Sequence, residues 1–167
     1  MPINTKQLIE LIIQPTIKDL GLYSLAAEQL LAGTCAQESL MGTYLAQVPK
    51  PIAKGLWQME DATHDDIHRN FLHGKELRIS IYKTCKIPEY NLGVIPDAEN
   101  MIWNLKYACA MARIHYLRVK APLPPANDIP ALAAYWKKYY NTHLGKGKES
   151  EFIANWNKYC ASYYGGK

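Results

Sequence analysis

Two short stretches hold the residue types that do acid–base chemistry on a polar chain. Glu38-Ser39 ends a run of small and apolar residues, and seventeen positions after the glutamate comes Gly55-Leu56-Trp57-Gln58-Met59-Glu60. A lone carboxyl near a Gly-led turn bearing an amide is the layout of a site that protonates a leaving group and grips the chain beside it. Ala27, Leu31, Cys35 and Glu38 recur at helical spacing, so Glu38 shares a face with apolar residues near a helix C-terminus. Burial disfavours the charged carboxyl, and so does the negative end of the helix dipole. Both predict a raised pKa, which a general acid working near neutrality requires. Gly33, Thr34, Ala36 and Ser39 are small enough to let a ligand approach the backbone. The plainer alternative is a glutamate at the solvent edge of an amphipathic helix, and helix periodicity by itself favours it.

The Glu38-Ser39 pair, the following loop and the Gly55-Leu56-Trp57-Gln58-Met59 turn resemble the catalytic core of the lytic transglycosylases. These belong to the lysozyme-like superfamily, with goose-type lysozyme as a relative. The family pattern is Glu-Ser, a loop, then Gly-Leu-Met-Gln, an apolar residue and Met-Pro. Here Trp57 stands at the usual Met, and Met59-Glu60 at the apolar-Met-Pro end; the likeness covers about residues 25–65. It implies that Glu38 is the single catalytic acid and Ser39 the hydroxyl beside it. Gln58 would bind sugar N-acetyl groups, Gly55 and Met59 would shape the groove, and Thr63 matches a threonine that follows the turn. Trp57 and Tyr140 would stack on sugar faces. The family's third element, Ala-Tyr-Asn-Ala-Gly, has two partial counterparts: Ala134-Tyr135, followed by Trp136, and Tyr140-Asn141, with Gly145 beyond. Tyr135 and Tyr140 are both candidates for the tyrosine beside the acid; Tyr140-Asn141 is preferred for its place at a helix end.

The implied activity is cleavage of the MurNAc–GlcNAc bond of peptidoglycan. The sugar's own C6 hydroxyl closes on the anomeric carbon, giving an anhydro product without water, metal or cofactor. The implied fold is all-α or mainly α, a lysozyme-like single domain over residues 1–167. The partners would be peptidoglycan glycan strands, with no nucleic acid. Together with an N-terminus that lacks a signal peptide, the likeness suggests a bacteriophage enzyme, virion-associated or an endolysin. It would act in the virion or the host cell envelope (periplasm), with other virion proteins as further partners. Two alternatives stand beside it. One is an inverting muramidase in which Asp61, Asp65 or Asp66 supplies a second carboxylate. The other is a glycan-binding or structural virion component that has lost turnover.

Other constellations are weaker. His64-Asp65-Asp66-Ile67-His68 is similar to the zinc motif H-E-x-x-H, but Asp replaces the Glu base and no third ligand follows at the expected spacing. Both histidines share a face with Ile67 and Phe71, which points to burial. Cys35 lies mid-helix on an apolar face, where a thiol is inert rather than nucleophilic. Gly145-Lys146-Gly147-Lys148 lacks the strand and upstream glycines of a phosphate loop and reads as a basic turn.

The elements that must position these residues are helices. Asn4 starts one, Pro15 divides it and Gly21 ends it; Ser24 caps a second, which Gly42 closes. Residues 43–56, with Pro49 and Pro51, form a loop, and a third helix runs from about Asp61 to Leu72. Residues 76–84 fit helix or strand, and 86–96, with Asn91-Leu92-Gly93, form a second loop. Asp97 caps the longest helix, about 98–119; Pro122, Pro124 and Pro125 stiffen a connector. Asp128 opens a helix to about Tyr140, and a last one spans about Glu149 to Tyr163, ahead of Gly165-Gly166.

A net charge of +4, with its basic residues scattered, is too mild for a dedicated nucleic-acid binder. Leu8 to Ile13 is interrupted by Glu10 and stopped by Pro15, so it makes no membrane span. Cys35, Cys85, Cys109 and Cys160 form no C-x-x-C pair and read as reduced, structural thiols.

Overall fold

Asn4 begins the first helix as its position predicts, its Oδ1 accepting the Gln7 N–H at 3.1 Å. The computed structural model describes residues 1–46, 52–88, 94–141 and 145–165. Pro49 and Pro51, Asn91-Leu92-Gly93 and Gly166 lie outside these residues. Helix α1 (Thr5–Gln7) runs without a break into a π-helical turn, Leu8–Ile13, and then α2 (Gln14–Asp19). The expected division at Pro15 is therefore absent. Pro15 has no N–H and its ring crowds the preceding turn. That turn widens, with the Gln14 N–H reaching back to the Ile9 carbonyl, and the helix continues past the proline.

Ser24 caps α3 (Leu25–Ser39), its Oγ accepting the Ala27 N–H at 3.0 Å. Every residue from Ala27 to Ala36 is buried, so α3 is a core helix rather than an amphipathic one. Its small residues serve packing, not ligand access. A Cβ on Gly33 would lie 2.3 Å from Cζ of Phe152, and Ala36 is fully buried. The helix ends at Ser39, earlier than Gly42, because Leu40 and Met41 both take left-handed backbone (φ 49° and 56°). Ser39 Oγ donates to the Cys35 carbonyl (3.1 Å) and accepts the Gly42 N–H (2.9 Å), fastening the turn.

A short antiparallel hairpin follows: β1 (Ala53–Lys54) pairs with β2 (Met59–Glu60), Ala53 opposite Glu60 and Lys54 opposite Met59. Two-residue strands are too short to show alternation in a sequence. Helix α4 (Asp61–Asp66) passes into a second π turn, Ile67–Phe71, and the ambiguous segment is helical as α5 (Glu76–Cys85). The expected helix over 98–119 is split into α6 (Asn100–Trp103) and α7 (Leu105–Leu117). Asn104 causes the break. Its Oδ1 caps the Tyr107 N–H at 3.0 Å while its Nδ2 donates to the Cys85 carbonyl at 2.8 Å.

Asp128 caps α8 (Ile129–Trp136), which continues as a π turn, Lys137–Asn141; α9 (Glu149–Tyr159) and α10 (Ala161–Tyr164) complete the chain. Helix α3 packs most extensively on α9, and also on α8 and α7. The Pro-rich connector is held to α3 by reciprocal 2.8 Å bonds between Gln29 and Asn127. The expectation of a mainly helical protein is met: among the described residues, the strands are confined to that hairpin. No helix among them is long and apolar enough to cross a membrane. All four cysteines are buried free thiols.

Candidate active site

The last turn of α3 carries Glu38 to a cavity of about 630 Å³. The hairpin supplies Ala53, Gln58, Met59 and Glu60 to its wall, and α4 supplies Thr63. His115 and Arg118 come from the end of α7, Tyr139, Tyr140 and Asn141 from the π turn after α8, and Gly145 from the segment beyond. Helix α3 can bring a carboxyl here because its own surroundings are apolar. Its last turn stands between a hydrophobic interior and the opening.

Glu38 is held by Trp136, whose indole Nε1–H donates to Oε1 at 2.8 Å. The indole is itself fully buried, packed on Phe152 with ring centroids 5.4 Å apart. Burial pushes the Glu38 carboxyl up to about 7, and the indole hydrogen bond pulls the other way without cancelling it. The rise anticipated from the sequence is present, with desolvation as its cause. Among the described residues Trp136 is the one hydrogen-bond partner of the carboxyl, and it occupies Oε1. Oε2 is left without that donor, and the residue lines the cavity.

Tyr140 lies against this carboxyl environment. Its hydroxyl donates to the Trp57 carbonyl at 2.8 Å, and burial beside Glu38 pushes its own titration well above the ordinary tyrosine range. Tyr135 does not share the site. Its hydroxyl donates to the Ala121 carbonyl at 2.9 Å, and its ring packs at a tilt against Tyr139, centroids 4.6 Å apart. The choice between the two tyrosines thus falls on Tyr140, with Asn141 beside it on the wall. The spacing explains this: Tyr135 and Tyr139 are four apart on one helix face, while Trp136 and Tyr140 are four apart on the next.

Three other expected contacts are displaced. Trp57 is 1% exposed and its Nε1 donates to the Leu31 carbonyl at 2.9 Å, so it is a core residue and not a stacking platform. An indole aimed into the core buries a large apolar area and finds its partner on α3. Ser39 is fully buried and fastens the end of α3, without lining the cavity. Gly55 shapes the turn from beneath. It has φ +74°, and a Cβ there would lie 2.2 Å from the Met101 carbonyl oxygen. Its own carbonyl accepts both the N–H (3.1 Å) and the side-chain Nε2 (2.8 Å) of Gln58, which has a left-handed φ of 45°. That side-chain bond uses one of the two Nε2 hydrogens of Gln58, whose side chain lines the cavity.

The three aspartates weighed as second carboxylates are all in ion pairs: Asp61 with Lys54, Asp65 with Arg69 and Asp66 with Arg118. None lines the cavity; Glu60 does, and the sequence reasoning passed over it. His115, Arg118, Tyr139 and Trp136 were also missed as site residues. For Trp136 a signal existed in its four-residue spacing from Tyr140. His64 and His68 are fully buried, and both Nε2 atoms bond the Tyr107 hydroxyl, at 2.7 and 2.9 Å. Their Nδ1 atoms are engaged as well, that of His64 with Asp65 Oδ1 at 3.0 Å and that of His68 with the Tyr82 hydroxyl at 3.3 Å. Cys35 has Ser39 as its polar neighbour at 3.7 Å, and burial pushes its thiol up to about 12, so it is no nucleophile.

Compared with known proteins, the chain matches no family model, and no curated protein or solved structure resembles it significantly.

Proposed function

We propose that this protein cleaves the glycan strands of peptidoglycan as a lytic transglycosylase, with Glu38 as both acid and base. The observation that carries the proposal is a single buried carboxyl, pushed up to about 7, with one oxygen fixed by Trp136, on the wall of a cavity also lined by Gln58 and Tyr140. Protonated Glu38 gives its proton to the glycosidic oxygen, and the bond from that oxygen to the anomeric carbon breaks. The C6 hydroxyl of the same sugar then bonds to the anomeric carbon and returns its proton to the Glu38 carboxylate. Water is neither consumed nor released. A pKa near the working pH suits a group that must serve in both protonation states. Gln58 would supply an amide to the substrate's N-acetyl groups, and Tyr140 gives the cavity an aromatic wall. The site of action would be the bacterial cell envelope.

A second proposal, hydrolysis, is favoured by Glu60, which lines the same cavity and could activate a water. Digesting purified peptidoglycan with the wild type, Glu38→Gln and Glu60→Gln separates the two. Anhydro-muropeptides that vanish with Glu38→Gln and persist with Glu60→Gln are the expected result. Reducing-end products lost in both variants would establish the hydrolase. No products from the wild type would overturn catalysis altogether.

A further inference from the structure

Arg118 lines the Glu38 cavity and takes no part in the proton transfer. It caps the C-terminus of α7, where a cation suits the helix dipole. Its NH1 donates to Asp66 Oδ2 at 2.6 Å and its NH2 to His115 Nδ1 at 2.9 Å. A guanidinium can only donate, so His115 Nδ1 is the acceptor and the ring's hydrogen sits on Nε2. Nε2 in turn meets the Tyr139 carbonyl at 3.1 Å. Burial, with Arg118 adjacent, holds His115 down at about 4, so the ring is neutral at physiological pH. His115 is therefore a fixed uncharged acceptor that orients the guanidinium.

Two of the five guanidinium N–H groups are committed in this way, and the Arg118 side chain is 26% exposed. Its ion-pair partner Asp66 is 49% exposed and also takes the Asn70 Nδ2 at 2.7 Å, so that carboxylate is shared with a second donor and with solvent. The acids on the same cavity wall are Glu38, partly neutral near pH 7, and Glu60, which is exposed. An oriented planar fork with spare donors at a cavity wall matches a carboxylate in shape and charge.

We infer that Arg118 is a carboxylate subsite, binding an acidic substituent of the glycan that lies in the cavity. This rests on the proposed function, under which the carboxylate has two sources. One is the peptide stem; the other is the lactyl group of muramic acid once its peptide has been removed.

The test is calorimetric binding to protein carrying Glu38→Gln, which prevents turnover. Three probes are compared: a peptidoglycan tetrasaccharide with stems, the same tetrasaccharide stripped by an amidase, and tetra-N-acetylchitotetraose, which has no carboxylate. Arg118→Met should weaken binding of one acidic probe about tenfold to hundredfold and leave the chitotetraose unchanged. Loss on the stemmed probe assigns the stem carboxylate, and loss on the stripped probe assigns the lactyl group. Asp66→Asn breaks the α7–α4 ion pair but keeps the guanidinium, and should retain both affinities. Equal losses on all three probes, matching losses in Asp66→Asn, or no binding at all would overturn the subsite. Wild-type turnover, measured separately, decides the proposed function. A carboxylate preference without turnover keeps the subsite and removes the activity.

Discussion

Replacing Glu38 by Gln should change how stability depends on pH by an amount fixed by the carboxyl's surroundings. In the folded protein Glu38 is raised from an ordinary 4.5 to about 7. At about 1.4 kcal/mol per pH unit, that rise corresponds to about 3 kcal/mol. The folded state holds this proton more tightly than the unfolded chain does. Glu38's contribution is therefore fully present below 4.5 and lost as pH rises through about 7. Gln keeps the shape and the acceptor that Trp136 needs, but has no proton to lose. Denaturant titrations of both proteins at about pH 4 and about pH 8.5 should show the wild type losing about 3 kcal/mol relative to Glu38→Gln at the higher pH. His115 and His68, held down by burial at about 4 and about 3, act in the opposite sense, stabilising above their ordinary 6.5 and less as pH falls. Both proteins contain them, so they cancel in the difference. A difference that stays flat across this range would refute a buried, proton-binding Glu38, and with it the basis for acid catalysis.

Trp136→Phe removes the one donor that, among the described residues, opposes burial at that carboxyl. Its pKa should climb by about one to two pH units, read from the Glu38 side-chain carbon by NMR titration, and the basic limb of any glycan-cleaving activity should move with it. Gly55→Ala forces a Cβ into the Met101 carbonyl at a left-handed φ and should destabilise by more than about 2 kcal/mol in denaturant unfolding. Tyr107→Phe strips two buried imidazoles of the hydroxyl they share, with an expected loss of about 1–3 kcal/mol in thermal or denaturant unfolding. An unchanged midpoint in that variant would mean that water replaces the hydroxyl.

Local chemistry was legible in the sequence wherever one residue acts on its own backbone. Asn4, Ser24 and Asp128 cap the helices they were expected to cap, because a side-chain oxygen three residues ahead of an N–H needs no distant partner. Glu38 and Gln58, singled out as candidates by the likeness of their two short stretches to a family pattern, do line one cavity. Breaks that depend on balance were not. Pro15 did not stop its helix because a π turn absorbs it, and Asn104 did interrupt one because the Cys85 carbonyl offers its amide a partner from another helix.

The sequence by itself determined a helical protein with a carboxyl near a helix end and a constrained turn nearby. Only the tertiary structure decided what surrounds that carboxyl. It turned Trp57 inward onto Leu31, gave Ser39 to the end of α3, and brought Trp136 rather than Tyr135 to Glu38. It also set Arg118 and Glu60 on the same wall. Helical spacing says which residues share a face, but the direction a face points is fixed by the packing of helices far apart in the chain. A carboxyl's pKa follows from that packing through the water it excludes.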